Sequence, residues 1–600
     1  MKPALDRLKE MPELIFMVAS HLGPKELHSL RLTCNQVHDI CQPLFYRKLW
    51  LHGYWNEPNL LEIAKHASFI HTLKVESLTF AAYYSCMFDI SQGASMSPSS
   101  ASPAATSLSL QRANPLQLAS IISHAMLEAL GDLHCFPAQF LYSICPSPRL
   151  TVLSLDLVML NTEFELNFLA KVLSSIGTLQ SLTVSYSTDI LTAEDVLKTL
   201  VYGCPDNLEF FSLFYDLIEE PEDYEDEELY EEDAELEQTV LTLLGPVMER
   251  QEPLRRLTEW RLNVNGGNID RDTFFSLLKF LPELTSMDVP SIGSSDGGNW
   301  EVVDRVAKAC PKLTGLSKHH IFKDFGGTMM IAFLQYMPAN TVEAVQISEF
   351  DEWDLLDEGL TVQKESVKSI VLDECAEISV STVSWIFSWC SALEVFRFTT
   401  KRESTFSLPL HDLVSQEWAS NKFRELKLSV LLREDQEQPD EEDIVFSDPM
   451  PRWTIGLERL YRQIGALTQL RILDLRVVVD KTSRGSDGFL ITYKDRTFPG
   501  FLTLEDRTAG RLGWLQLLGG LRNLEELCGS FNLDAMLEGF EFRQEEADWI
   551  VEHWPKLRFI EFYVYRKGHC ITLPAPVQSM IERLPGLIVA KTYTDIYFDP

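Results

Sequence analysis

Positive charge is scarce in this chain. Its 600 residues hold 52 Lys and Arg against 88 Asp and Glu, a formal charge of −36. That imbalance excludes a general nucleic-acid binder, which carries a basic footprint. The 11 cysteines are scattered and include no CxxC pair, which excludes zinc-ribbon and thioredoxin-type sites. Reduced, buried thiols in an intracellular protein are the expectation. The apolar run Leu14 to Ala19 stops far short of the roughly 20 residues that cross a bilayer. The opening Met1-Lys2-Pro3 lacks a signal-peptide layout, so cytoplasm and/or nucleus is the expected location, with no membrane partner. Phosphate-loop and HExxH motifs are missing. Gly293, Gly297 and Gly298 do not fit a dinucleotide fingerprint, and His319-His320 has no further ligand at metal spacing. No catalytic residue, cofactor or metal is therefore assigned.

Apolar material is plentiful. Hydrophobic residues make up 45% of the chain and charged residues 23%, enough for a large core and too much for wholesale disorder. The template L-x-x-L-x-L, with any apolar residue allowed, recurs along it. Leu150-Leu153-Leu155, Leu179-Leu182-Val184 and Leu208-Phe211-Leu213 are spaced by 29 and 29 residues. Leu257-Trp260-Leu262, Leu284-Met287-Val289, Leu313-Leu316 (with Lys318 in the third slot), Val342-Val345-Ile347, Val367-Ile370-Leu372, Leu393-Phe396-Phe398 and Phe423-Leu426-Leu428 follow at steps of 27, 29, 29, 25, 26 and 30. Later copies are Leu470-Leu473-Leu475, Leu524-Leu527-Gly529 and Leu557-Ile560-Phe562, and Ile70-Leu73-Val75 is an isolated early one. A helical stretch ending in a breaker precedes each copy, as at Gly203-Cys204-Pro205, Leu281-Pro282, Cys310-Pro311 and Trp554-Pro555. A generic α/β domain also alternates helix and strand, but it does not hold one phase between breaker and strand over so many copies.

This pattern resembles leucine-rich repeats. The resemblance implies an α/β fold: a curved solenoid over 116–600, with parallel strands on the concave face and helices outside. Asn or Cys three positions past the last apolar slot appears only as Asn265, Cys375 and Asn532, so the repeats are irregular. Residues 51–90 read as a linker and first repeat-like unit. Residues 91–115, rich in Ser, Ala and Pro, read as a disordered loop. Two acidic insertions, 216–237 with 14 carboxylates and no base, and 434–443, read as solvated loops.

Residues 8–50 read as three short amphipathic helices. Pro12 suits a first helical turn. Leu14, Val18 and Leu22 follow at i, i+4, i+8, and Gly23-Pro24 ends that helix. Leu27, Leu30, Cys34 and Val37 form the next apolar face, and Ile40, Leu44, Leu49 and Trp50 suggest a third helix or a continuation. So short a segment does not bury its own apolar surface, and leftover apolar surface marks a docking face unless the first repeat covers it. Met11-Pro12-Glu13-Leu14-Ile15, Val18, Leu22, Gly23-Pro24-Lys25-Glu26-Leu27 and Leu30-Arg31-Leu32-Thr33-Cys34, with Leu44 to Trp50 beyond, together resemble an F-box.

An F-box followed by irregular leucine-rich-like repeats resembles the substrate receptors of cullin–RING ubiquitin ligases. That resemblance implies a non-catalytic subunit of an SCF-type (Skp–cullin–F-box) E3 ligase. Met11, Pro12, Leu14, Ile15, Val18, Leu22, Leu27, Leu30 and Cys34 would contact the Skp adaptor, and through it a cullin. The repeats would hold a protein substrate near the conjugating enzyme. The alternative is a non-ligase F-box scaffold. Outward positions of the repeat strands put Phe210, Phe214, Arg261, Asn263, Asp288, His319, Arg397, Lys427, Arg476, Tyr563 and Tyr593 on the candidate substrate face. Arg397, Lys427 and Arg476 would suit an acidic or phosphorylated substrate.

Overall fold

The structure, a computed structural model, describes residues 15–16, 19–20, 22, 27, 29–30, 35–52, 66, 69–76, 149–158, 163–188, 191–217, 247–265, 269–290, 292, 299–318, 326–348, 353–373, 380–399, 408–433, 453–480, 482–484, 490–492, 503–506, 511–529, 542–564 and 573–593. The Ser/Ala/Pro-rich stretch 91–115, residues 218–237 of the first acidic run and all of 434–443 lie outside them. The chain forms two compact units, Met1–Ser295 with Lys308–Lys312, and Asp296–Ala307 with Leu313–Pro600.

In the first unit, short strands pair in parallel in chain order: Lys48–His52, Thr72–Glu76, Val152–Val158, Ser181–Thr188, Phe210–Leu217, Glu259–Asn265 and Ser286–Asp288. The helices Glu163–Ser175, Ala193–Gly203 and Arg271–Leu278 make crossovers between them, as parallel pairing requires. The register aligns the repeat motif: Leu73, Leu153, Leu182, Phe211, Trp260 and Met287 stand level. Each of these side chains is 1% exposed or less. Leu155, Val184, Leu213 and Leu262 form the next row. Burying one such side chain contributes roughly 1.5–3 kcal/mol, and the rows gain it only when neighbouring repeats stack.

The second unit repeats this plan. Its strands are Gly315–Lys318, Ala344–Ser348, Ser369–Asp373, Val395–Phe398, Glu425–Arg433, Ile472–Asp480, Glu526–Gly529, Phe559–Val564 and Ile588–Tyr593, with Leu408–Pro409 added beside Glu425–Arg433. Leu316, Val345, Ile370, Phe396, Leu426, Leu473, Leu527 and Ile560 share one row. The helices Gly326–Tyr336, Trp353–Gln363, Val380–Trp389, Trp453–Gly465, Gln544–His553 and Ala575–Arg583 fall between strands. Gly529 stands where the motif expects an apolar residue. Its φ is +123°, and a Cβ there would lie 2.0 Å from the Leu475 carbonyl oxygen, so only glycine fits.

The breakers act as their chemistry dictates. Helix Ala193–Gly203 stops at Cys204-Pro205, Asn299–Ala309 at Cys310-Pro311 and Gln544–His553 at Trp554-Pro555. Cys204, Cys310 and Cys390 follow directly on such helices as buried free thiols. Burial pushes each up to about 12, so they behave as inert packing groups.

Three sequence expectations are corrected. Leu49 and Trp50 are not helical: the described helix Asn35–Phe45 ends before them, and they lie in the strand Lys48–His52. That strand pairs in parallel with Thr72–Glu76, which pairs in turn with Val152–Val158. The early copy Ile70-Leu73-Val75 is therefore part of the ladder rather than isolated. Asn263 and Asp288 are buried, at 7% and 2% exposure, rather than open to a substrate. The Ser286–Asp288 strand pairs with Glu259–Asn265 over two positions. Just beyond them, the Asp288 carboxylate accepts the Leu262 backbone N–H at 3.0 Å, standing in for a ladder carbonyl.

Gln363, fully buried, ties two repeats of the second unit together. Its Oε1 accepts the Thr341 and Val342 backbone N–H groups at 3.0 and 3.1 Å. Its Nε2 donates to the carbonyls of Leu334 and Met337 at 3.2 and 3.3 Å. Gln363→Leu keeps the volume but strands both N–H groups, so it should destabilise the protein by about 3 kcal/mol, read as a lower denaturant midpoint. A midpoint within error of the parent would refute this tie.

Candidate interaction surfaces

The amino-terminal segment forms a small core. Ile15, Ala19, Leu27, Val37 and Cys41 are buried together, with Leu22, Leu30, Ile40 and Leu44 partly buried against them. Ile15 and Leu27 are 2% and 6% exposed, so their side chains serve this core. Phe16, next to Ile15, is 44% exposed. Of the residues assigned to adaptor contact, Met11, Pro12, Leu14, Val18 and Cys34 lie outside the described residues. The tip of helix Asn35–Phe45 is tied to the chain beyond it: Gln42 Nε2 lies 3.1 Å from His66 Nε2, and the Tyr46 and His66 rings stack at 4.4 Å.

The candidate substrate residues divide between the units. In the first, Phe210 and Phe214 stand four residues apart on one strand and Phe214 is 39% exposed. The Arg261 guanidinium lies over the Phe210 ring at 5.3 Å and pairs with Glu259 at 2.6 Å. In the second, Arg397 donates to Glu425 from Nε at 2.6 Å and from Nη2 at 2.7 Å. The Glu425 bonds hold Arg397 above its ordinary range. Lys427 sits 3.5 Å from the same carboxylate. Arg397 and Lys427 are level, but Lys427 stands level with Asp474, and Arg476 lies one rung further, level with Ser429. Arg476 is 3.4 Å from Asp474. The three bases are thus interleaved with acids on one sheet face instead of forming a basic row. Cys528, on that face, shows the local sign of charge: its thiol is pushed up to about 12 by burial and by Asp474, Glu561 and Glu526. His319 and the side chains of Tyr563 and Tyr593 lie outside the described residues.

A second surface escaped the sequence reading. At the rim where the first unit's strands begin, a cleft of about 410 Å³ is lined by His71, Arg149, Thr151, Gly177, Thr178, Gln180, Asn207 and Arg256. Backbone bonds build it rung by rung. Thr151 N–H donates to the His71 carbonyl at 2.9 Å, Gln180 N–H to Thr151 at 2.8 Å and Glu209 N–H to Gln180 at 2.7 Å. Two residues upstream on successive rungs stand Arg149, Thr178, Asn207 and Arg256. Thr178 is fixed by donating to the Leu150 carbonyl at 2.8 Å, and Asn207 by donating to Gly177 at 2.6 Å. Burial, then Arg47 and Arg149, hold the His71 imidazole below its ordinary range.

Among the described residues no group of three or more His, Cys, Asp or Glu is placed to hold a metal, and no helix is long and apolar enough to cross a membrane. No family model matches the chain, and no curated protein matches it. Among solved structures, it is similar to a chain of the yeast Rad7–Elc1 complex at 14% identity and a TM-score of 0.33, over 75% of this chain and 77% of that one. It is also similar to the leucine-rich repeat-containing protein LegL7 of Legionella pneumophila, at 11% identity and a TM-score of 0.26, over 59% and 79%.

The lowered His71 value sets a pH dependence. The unfolded chain, with an imidazole near ~6.5, takes up a proton that the folded rim resists. Stability therefore falls as pH drops from ~6.5 through the lowered folded value, and is unaffected by this group above it. In a histidine NMR titration His71 should titrate below the exposed histidines, and Arg149→Gln should move it upward. A normal value unmoved by that substitution would contradict the electrostatic account of the rim.

Proposed function

We propose that this protein is a non-catalytic substrate receptor of an SCF-type ubiquitin ligase. Its amino-terminal segment docks the Skp adaptor, through which a cullin is engaged, and its repeats hold a protein substrate. The observation that carries the reading is the leftover apolar surface of the amino-terminal segment. Among the described residues of that segment five are buried together, while Leu22, Leu30, Ile40 and Leu44 are partly buried and Phe16 is exposed. Such surface on a charged chain is what a partner subunit covers. The F-box-like order of Met11, Pro12, Leu14 and Ile15 through Leu30 and Cys34 names the class of partner. On the repeats, the exposed Phe214 and the Phe210–Arg261 pair suit a substrate contact in which an aromatic anchor sits beside an arginine. The ligase chemistry is proximity: this chain supplies no reacting atom and raises the local concentration of a substrate lysine at the thioester.

Affinity capture of the tagged full chain from cells tests this. The Skp adaptor and a cullin should both be recovered. Phe16→Asp changes an exposed side chain and leaves the five-residue core intact; at a central hot spot it should weaken adaptor binding by roughly 2 kcal/mol, about thirtyfold in Kd. Recovery of adaptor without any cullin would replace the ligase reading with that of a non-ligase scaffold. Recovery of neither would overturn the adaptor assignment itself.

A further inference from the structure

We propose that the rim cleft bracketed by Arg149 and Arg256, with His71 beside them, is a binding site for a phosphate monoester carried on a protein side chain. The first argument is composition. Acids outnumber bases 88 to 52 in the chain, yet none of the eight lining residues is acidic and three are Arg or His. Asp206, one residue before Asn207, is engaged by Arg250, which also donates to the Cys204 carbonyl.

The second argument is geometry. Arg149 and Arg256 stand three rungs apart, on the lead-ins to the strands Val152–Val158 and Glu259–Asn265, which is about 14 Å of backbone at ~4.8 Å per rung. Thr178 and Asn207 occupy the rungs between, and both are pinned by backbone carbonyls. Long guanidinium side chains closing on the same cleft from both sides make a clamp for one tetrahedral oxyanion. His71 and Gln180 add donors on the adjacent row.

The third argument is electrostatic. Arg47 and Arg149 already push on His71, so the cleft carries positive potential that a dianion would relieve. A carboxylate would satisfy one guanidinium; a phosphate monoester presents three oxygens and up to two charges, enough for both. A nucleic acid fits poorly, because the chain around the site bears −36 charges. That the carrier is a protein rests on the receptor reading above; the phosphate site does not.

The test uses the full chain and O-phospho-L-serine as probe, at matched ionic strength with chloride as control. Histidine-selective NMR follows His71, assigned with His71→Gln. Saturable binding should raise the His71 value by about half a unit or more, and Arg149→Gln with Arg256→Gln should weaken binding by roughly tenfold or more. Both arginines are exposed, so an unchanged thermal midpoint is expected; the single variant Arg256→Gln serves if the double variant is unstable. No saturable shift, or affinity indifferent to both arginines, overturns the site. A single-stranded oligonucleotide bound through the same arginines more tightly than the phosphoamino acid overturns the protein-borne ligand. Loss of phosphate binding with adaptor capture intact removes only this cleft, whereas failed adaptor capture with phosphate binding intact removes only the receptor reading.

Discussion

One constraint organises each unit: no repeat buries its own apolar face. Leu182 is sealed because Leu153 lies level on one side and Phe211 on the other. Slipping one strand by a single residue would turn its whole buried row outward. Register is therefore the property under strongest physical control, and large side chains enforce it. Trp260, 1% exposed, stacks on Phe274 at 6.2 Å between ring centroids, and Phe387 gathers Phe396, Phe423 and Trp418. The breakers serve the same end. Each stops a helix where the next strand must start, so the apolar triplet meets the ladder in phase.

Backbone groups at the repeat junctions follow from this. The chain has no regular asparagine ladder, and other side chains take over. Gln363 satisfies two N–H groups across a repeat boundary. Ser420 donates to the Leu393 carbonyl at 2.6 Å, Thr178 to Leu150 and Asn207 to Gly177. Each bond joins residues some 21 to 30 positions apart, the length of one repeat. The irregular consensus thus reflects a distributed solution to a fixed demand, that buried amides find partners.

The same spacing explains what was legible in the sequence. The triplets and breakers are local, lying within about ten residues, and the strand rows they implied match the observed register from Leu153 to Met287 and from Leu316 to Ile560. What depends on neighbouring strands was hidden. Arg397 reads as an outward base, but the carboxylate that holds it, Glu425, is 28 residues away. Asp288 reads as outward by alternation, yet it is buried and accepts the Leu262 N–H from the neighbouring strand. Leu49 and Trp50 have the spacing of a helix end, and strand partners from Thr72 onward decide otherwise. The rim cleft is the extreme case: His71 and Arg256 are far apart in the chain, and only the stacking of rungs brings them to one opening.

That stacking also separates the charges by place. On the second unit's sheet face, bases sit one rung or one row from acids, and the pairs Arg397–Glu425, Lys427–Glu425 and Arg476–Asp474 spend the basic charge internally. An incoming anion there must displace a carboxylate already held in bidentate geometry, which sets a poor starting point for recognition. At the first unit's rim the lining is donors and cations, with the upstream carboxylate turned to Arg250. A chain with so strong an acidic excess repels anions at long range, though screening confines that repulsion to about a Debye length. A local basic opening then discriminates by geometry more than by attraction: a ligand must bring its charge compactly enough to enter one cleft. The ladder that seals the core is thus also what turns widely spaced arginines into one surface.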